Sequence, residues 1–478
     1  MDMNRSRLFR LLKALIPLVI GLSISIIPTP QGLTQSAWLY FALFVAVITG
    51  VILEPIPAAA IGLIGITVAA ISGLVYTAPG DAIKWCLSGF ADTTVWLIFA
   101  AFIFALGYAK TGLGRRIALL FIKYLGKRSL GLGYAIALSD LVLAPFMPSN
   151  TARSGGTIYP IISNIPPIYG SKPGDGTERR IGSFIMWTAF TATCITSSMF
   201  LTSLAPNVLA VSLAAKEKIA MDWLTWFIGF LPVGVILFIA TPILAYMLYP
   251  PEIRRSEEAP KWASEELRKI GRITKREIAF LCEVVLALIL WIVAKDYVNA
   301  TTVALFAVSL MLITSVTSWD DVLTYKSAWN VFVWFATLVT MADGLYRVGF
   351  VKYVADMIAS TIKGLDPFIA LMIVVSLFYW LHYLFASLTA HVTALYPIFL
   401  TTALGIPGIS PQIAAYSLAY TLGLMGVISP YATGPAPVYY GSGYIKSGDF
   451  WKLGLIFGLI FYIVYIAIGL PWLMFILK

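Results

Sequence analysis

The chain has 478 residues, of which 59% are hydrophobic and only 12% charged, with a net charge of +10. Soluble chains carry about 25% charged residues, and a water-soluble fold of this size has no interior large enough for so much apolar surface, so the bilayer is the solvent this composition fits. The basic residues sit in short segments between apolar runs, which is the pattern of membrane loops rather than of a nucleic-acid groove.

Three scattered cysteines (Cys86, Cys194, Cys282) and two histidines set neither a disulfide framework nor a metal site, and nothing in the sequence calls for a cofactor. Arg5, Arg7, Arg10 and Lys13 precede and enter an apolar run that ends at Ile27. Ile27-Pro28-Thr29-Pro30 follows, with no small-residue cleavage site. We read an uncleaved first span with a cytoplasmic N-terminus. Apolar runs at 8–27, 37–54, 57–76 and 93–109 predict four spans, with Glu54-Pro55 at a span end. Residues 110–128 hold six Lys and Arg, and Ile117, Leu120, Phe121 and Tyr124 give them the pattern of a helix lying in the interface.

Residues 131–168 form two apolar arms around a polar tip, Met147-Pro148-Ser149-Asn150-Thr151-Ala152-Arg153-Ser154-Gly155-Gly156. Each arm is shorter than the roughly 20 helical residues a crossing needs. Such a tip cannot face lipid, because its free backbone groups need partners, so it belongs in a buried or watered cavity. The sequence thus predicts a re-entrant hairpin. After the polar loop 170–180 comes a run, 182–215, interrupted at Leu201-Thr202-Ser203-Leu204-Ala205-Pro206-Asn207, then a long span at 223–249. Residues 250–276 read as a basic amphipathic linker on the cytoplasmic face.

The second half repeats the plan. Spans are expected at 277–294, 299–316 and 328–345, and an amphipathic piece at 346–366 with Arg347, Lys352 and Lys363. A second hairpin at 367–405 carries the tip Ser387-Leu388-Thr389-Ala390-His391. A second interrupted span at 411–445 breaks at 429–437, and a last span covers 451–476. Gly107 and Gly112 recur as Gly344 and Gly349, and Tyr159-Pro160 recurs as Tyr396-Pro397, at one offset of 237. Ser149, Thr151 and Ala152 recur as Ser387, Thr389 and Ala390, while Thr202, Ala205 and Pro206 recur as Thr433, Ala436 and Pro437. The second amphipathic piece is poorer in Lys and Arg than the first, which points to opposite insertion of the halves. Inverted repeats with discontinuous helices are a plan of secondary transporters.

Short helices that end at the tips and breaks turn N–H groups and positive partial charge inward. Ser149, Asn150, Thr151, Thr202, Ser387, Thr389, Thr433 and Gly434 are therefore the candidate binding residues, in a cage suited to carboxylates facing each other from the two tips. Arg153 and His391 stand four residues after Ser149 and Ser387. Cations inside a membrane protein are costly unless paired, so both are candidates for charge compensation. Asp140 is a candidate buried partner for a Lys or Arg, and His382 reads as structural.

On the Ser149-Asn150-Thr151 tip, the matching Ser387-x-Thr389 tip and the Ala432-Thr433 break, the chain resembles the divalent anion/sodium symporter family over nearly its whole length. The string 147–156 and His382-Tyr383-Leu384-Phe385-Ala386-Ser387-Leu388-Thr389-Ala390-His391 is similar to that of its bacterial citrate/succinate antiporter and plastid 2-oxoglutarate/malate translocator branch. The resemblance implies an all-α polytopic protein of the bacterial inner membrane, a homodimer formed through its scaffold, and elevator-type transport of di- or tricarboxylates. Repeat 1 then divides into scaffold 1–130 and transport half 131–250, and repeat 2 into scaffold 277–366 and transport half 367–478, joined by the linker 251–276. Where sodium-coupled members carry Asn in the second tip, this chain has Leu388, which offers no side-chain oxygen. That favours sodium-independent exchange, with Arg153 and His391 in place of sodium charge; a sodium-coupled symporter is the alternative. A membrane enzyme lacks a base for Ser149 and any HExxH motif, and a channel lacks a continuous pore-lining repeat.

Overall fold

The structure, a computed structural model, describes residues 2–255, 257–294, 297–362 and 364–477; Lys363 lies outside them. Its described residues are helical apart from loops and one isolated bridge between Arg128 and Arg255. Seven helical stretches are long and apolar enough to cross a membrane: Gln35–Leu53, Thr93–Thr111, Ser129–Phe146, Trp223–Leu248, Lys326–Arg347, Pro367–Leu384 and Ser447–Ile476. Lys13–Ile26, Ala58–Ile71, Ala300–Ile313 and Leu388–Leu404 are shorter apolar helices. The run expected at 57–76 stops at Ile71, because Gly73 takes a left-handed φ of 63° and a short helix, Pro79–Cys86, follows.

Two of the seven long stretches are hairpin arms. The regular helix Ser129–Leu143 has 15 residues, about 22 Å. A tighter turn then carries the arm to Phe146, and Pro367–Trp380 is extended in the same way to Leu384. The arms are therefore longer than their apolar runs suggest. What makes them arms is the non-helical tip at which each stops.

The chain divides into two compact units. One holds Met1–Phe99, Val208–Met221 and Lys326–Leu418. Its helices approach closely where side chains vanish. A Cβ on Gly62 would lie 2.0 Å from the Thr337 hydroxyl, and one on Gly344 would lie 2.0 Å from the Tyr40 hydroxyl. Its buried acid, Asp343, accepts from Trp85 Nε1 at 3.1 Å and is paired with Arg347 at 2.5 Å and Lys216 at 3.5 Å. Three donors on one carboxylate answer the cost of an ionised group at this depth.

The other unit holds Ala100–Asn207, Asp222–Tyr325 and Ala419–Lys478. At its centre is Gly182–Met199, buried along its whole length although Thr188, Thr191, Thr193, Thr196, Ser197 and Ser198 lie on it. The hairpin arm Ser129–Leu143 and the span Trp223–Leu248 pack against it. Leu113–Leu125 is the predicted amphipathic helix. It buries Leu113, Ala118, Leu119 and Ile122 and leaves Leu120 and Tyr124 exposed. Arg115 reaches Glu266 on the linker helix Glu258–Ile270, and Arg116 reaches Glu277, each at 2.6 Å. These ion pairs tie the basic helix to the linker helix and to the start of the helix Lys275–Val293 that follows it.

Candidate functional site

The first tip is built by successive departures from helical winding. Pro145 lies in the tight turn, Met147 is extended at φ −126°, and Ser149 then starts the return arm. The Ser149 hydroxyl accepts from the Ala152 amide at 3.2 Å, and its carbonyl accepts from the Arg153 amide at 2.8 Å. The arm opens with a wide π-helical segment, Thr151–Ile158, in which Gly155 and Gly156 offer no side chain to resist the wider winding. Ser149 is half-buried, and Thr151 is exposed.

This tip meets the second break. Asn150 Nδ2 donates to the Thr433 hydroxyl at 2.8 Å. A Cβ on Gly434 would stand 1.8 Å from the Thr151 hydroxyl, so only glycine allows that approach. The hydroxyls of Ser154 and Tyr439 share a hydrogen bond of 2.7 Å one turn deeper. Asn150, Thr151, Thr433 and Gly434, named from two stretches about 280 residues apart, therefore form one cluster. It combines an amide, hydroxyls and the uncrowded backbone of a glycine, the donor set of a small anion site.

Thr202 has a different place from the one expected. It is buried, its hydroxyl donates to the Pro145 carbonyl at 2.5 Å, and it accepts from Trp223 Nε1 at 3.1 Å. Beside it the Ala205 amide donates to the Pro148 carbonyl at 2.6 Å. The first break thus pins the tip from behind through Thr202 and Ala205.

Arg153 is fully buried and pairs with Asp140, on the outgoing arm, at 3.0 Å. One terminal nitrogen donates to the carbonyls of Met147 at 2.8 Å and Ser203 at 2.7 Å. The other reaches the hydroxyls of Ser197 at 3.0 Å and of Thr193 and Thr196 at 3.3 Å. Arg153, a candidate for charge compensation, is thus itself compensated: the pair is formally neutral, and every guanidinium nitrogen is engaged. Asp140 is the buried partner the sequence suggested, while nothing in sequence spacing announced the hydroxyls across the helix.

The second tip belongs to the other unit. Its arm tightens over Leu381–Leu384, Phe385 is extended at φ −120°, and Ser387 caps the helix Leu388–Leu404 by accepting from the Ala390 amide at 3.4 Å. The His391 amide donates to the Ser387 carbonyl at 3.1 Å. These are the two bonds that Ser149 makes, 238 residues earlier. Leu388 and Thr389 are buried. The His391 ring is sealed among Phe378, Phe385 and His382, with no hydrogen bond at either nitrogen.

Lys110, in the last turn of Thr93–Thr111, stands 2.6 Å from Asp321, which lies outside the spans, and holds that carboxyl down to about 2, chiefly through their hydrogen bond. Lys269, and less strongly Arg115, keep Glu266 below the usual carboxylate range. Among the described residues, no three His, Cys, Asp or Glu side chains are grouped to hold a metal ion.

Residues 8–478 match the family model described as the sodium:sulfate symporter transmembrane region. The citrate/succinate antiporter of Escherichia coli K12 is 48% identical over 472 residues, covering 96% of this chain and 97% of that one. The L-tartrate/succinate antiporter of Shigella sonnei is 44% identical over 474 residues, covering 96% and 97%. Among solved structures, the YdaH transporter of Alcanivorax borkumensis superposes with a TM-score of 0.58 at 12% identity, covering 92% of this chain and 99% of that one. MtrF of Neisseria gonorrhoeae does so with 0.56 at 14%, covering 92% and 96%. These two likenesses show the fold.

Proposed function

We propose that this chain, which belongs to the sodium:sulfate symporter family, exchanges di- and tricarboxylates across the bacterial inner membrane without sodium. It is a multi-pass membrane transporter rather than an enzyme. The observation that carries the substrate class is the meeting of Asn150 and Thr151 with Thr433 and Gly434. A carboxylate accepts hydrogen bonds and carries charge. Hydroxyls, an amide and helix-start N–H groups return both. Ser387 and Thr389, at a helix start with the same capping geometry, are candidate donors of the other unit.

Exchange follows from the cost of moving such a site empty. Polar donors taken through a bilayer without partners are expensive, and a bound carboxylate supplies those partners. Arg153 serves by holding the Met147 and Ser203 carbonyls in place, its charge balanced by Asp140. Leu388 supports sodium independence, since no side-chain oxygen stands at the middle of the second tip. The common offset and capping of the two tips support inverted repeats, and membership of the family is what supports an elevator-type movement and a scaffold-mediated homodimer. The excess of Lys and Arg at 110–128 supports a cytoplasmic N-terminus.

Counterflow in proteoliposomes tests this reading, with a panel of succinate, malate, fumarate, 2-oxoglutarate, citrate and tartrate. The expected result is uptake only into vesicles preloaded with one of these anions, unchanged when potassium replaces sodium. Uptake into empty vesicles driven by a sodium gradient overturns it in favour of a symporter.

A further inference from the structure

His391 is the fourth residue of Leu388–Leu404, one turn in from the second tip. Its ring is wholly buried, with Phe378 at 4.4 Å and Phe385 and His382 each at 5.0 Å between ring centroids. Neither ring nitrogen has a hydrogen-bond partner. A neutral imidazole carries one N–H and one lone pair, and a histidine kept only for packing normally satisfies at least one of them.

Among the described residues, no carboxylate bears on this ring, and His382 is the ionisable group that does. On the helices packed against its own, Asp343 is held by Arg347 and Lys216, and Lys352 and Asp356 are exposed. Glu217 accepts from Thr401, ten residues further along. The tyrosines on those helices are Tyr40, Tyr346, Tyr353 and Tyr379. With the tip empty, a proton on His391 would be an unpaired buried cation beside the positive end of a helix, and both terms disfavour it. A carboxylate at the tip reverses both terms, and a trianion does so more strongly than a dianion.

We infer that His391 is a proton-carrying site, loaded with a trianionic substrate and left empty with a dianionic one. The proton comes from the aqueous phase on the loading side and adds to the free lone pair of the imidazole. It crosses as imidazolium with the substrate and returns to water when the substrate leaves. Citrate trianion plus one proton entering, against succinate dianion leaving, then moves no net charge. This inference rests on the antiport reading and adds a co-transported ion to it.

The test uses full-length protein in succinate-loaded proteoliposomes with a lumenal pH dye and a clamped membrane potential, at about pH 7.5. For the wild type, citrate entry acidifies the lumen by about one proton per exchanged pair, its rate is indifferent to the potential, and succinate–succinate exchange gives no pH signal. In His391→Gln, the proton count per pair falls toward zero, and the exchange that remains becomes sensitive to the potential. An undiminished proton count in His391→Gln overturns the inference, since the proton then rides on the citrate. So does wild-type exchange that follows the potential without acidification, a result that needs no variant to fold. Absence of succinate–succinate counterflow in the wild type sinks the antiport reading, and this inference with it.

Discussion

Arg153 donates to Asp140 at 3.0 Å across the two arms of the first hairpin, and neither side chain reaches solvent. Removing one member of a buried pair leaves the other charge without its counter-ion, at a cost of about 3–5 kcal/mol. Asp140→Asn and Arg153→Gln each lower the melting temperature of the detergent-solubilised protein by several degrees. The double variant loses less than the sum, because the residues share one interaction. Thermal unfolding followed by size-exclusion chromatography checks this; strict additivity would show that the pair is not a unit. Transport by the double variant stays impaired, since glutamine cannot hold the Met147 and Ser203 carbonyls together as the guanidinium does.

At the cluster itself, Gly434→Ala places a methyl group 1.8 Å from the Thr151 hydroxyl. The threonine side chain turns away more cheaply than the backbone shifts, so the variant folds but presents Thr151 wrongly. We expect KM for succinate to rise at least about tenfold with little change in melting temperature, the loss of one charge-assisted hydrogen bond being about 1.5–3 kcal/mol. Thr151→Ala alone has a similar effect, and the double variant is no worse than either single one. If the effects add instead, Gly434 acts through something other than Thr151.

Thr433→Val keeps the shape at 433 but removes the acceptor of Asn150 Nδ2. Asn150 is then free to swing from the tip, and exchange falls by roughly tenfold, a loss of about 1.4 kcal/mol. Thr433→Ser retains the oxygen and most of the activity. Initial rates of succinate counterflow separate the two; equal loss in both would assign the role to the threonine methyl.

The tips and breaks were legible because lipid leaves little choice. A polar, Pro- and Gly-bearing segment such as 145–156 cannot sit in hydrocarbon unpaired, so its composition alone announces a re-entrant tip. Asp140 was legible for a related reason, being an acid in an apolar arm that must find a cation. The roles of Thr202 and Arg153 were not legible. Thr202 turns back to Pro145, 57 residues away, and Arg153 reaches Ser203, 50 residues on. Hydroxyl residues at such distances look the same whether they face a ligand or a carbonyl. The third helix is shorter than its apolar run, because Leu74 and Val75 continue that run beyond the turn at Ser72-Gly73.

The Lys110–Asp321 pair gives a pH dependence of definite sign. The Asp321 carboxyl is held at about 2, below its ordinary 3.8, mainly by the hydrogen bond from Lys110. A lowered carboxyl contributes stability that is complete above its unfolded value and is lost as pH falls through the folded one. The melting-temperature gap between wild type and Asp321→Asn is therefore flat from about pH 5 to pH 8 and closes between roughly pH 4 and pH 2. A gap that widens on acidification contradicts the pairing. High salt narrows it throughout, because the site is open to solvent.

Ser149 and Ser387 each cap a helix and each stand where a ligand is expected, so an alanine substitution cannot separate the two roles. Glycine can. Replacing a capping serine by alanine costs about 1 kcal/mol of helix stability, whereas glycine costs only a few tenths, because its backbone accepts the cap conformation and leaves the amides open to water. If the hydroxyls serve only the caps at Ala152 and Ala390, Ser149→Gly and Ser387→Gly exchange succinate nearly as well as wild type, and only the alanine variants fail. If they also donate to a carboxylate, alanine and glycine lose exchange alike, by about tenfold or more, while only alanine lowers the melting temperature. We expect the second pattern at both positions. Ser149 is half-buried at the tip rather than enclosed by it, and Ser387 begins a helix whose first turn has no acidic residue to occupy its N–H groups.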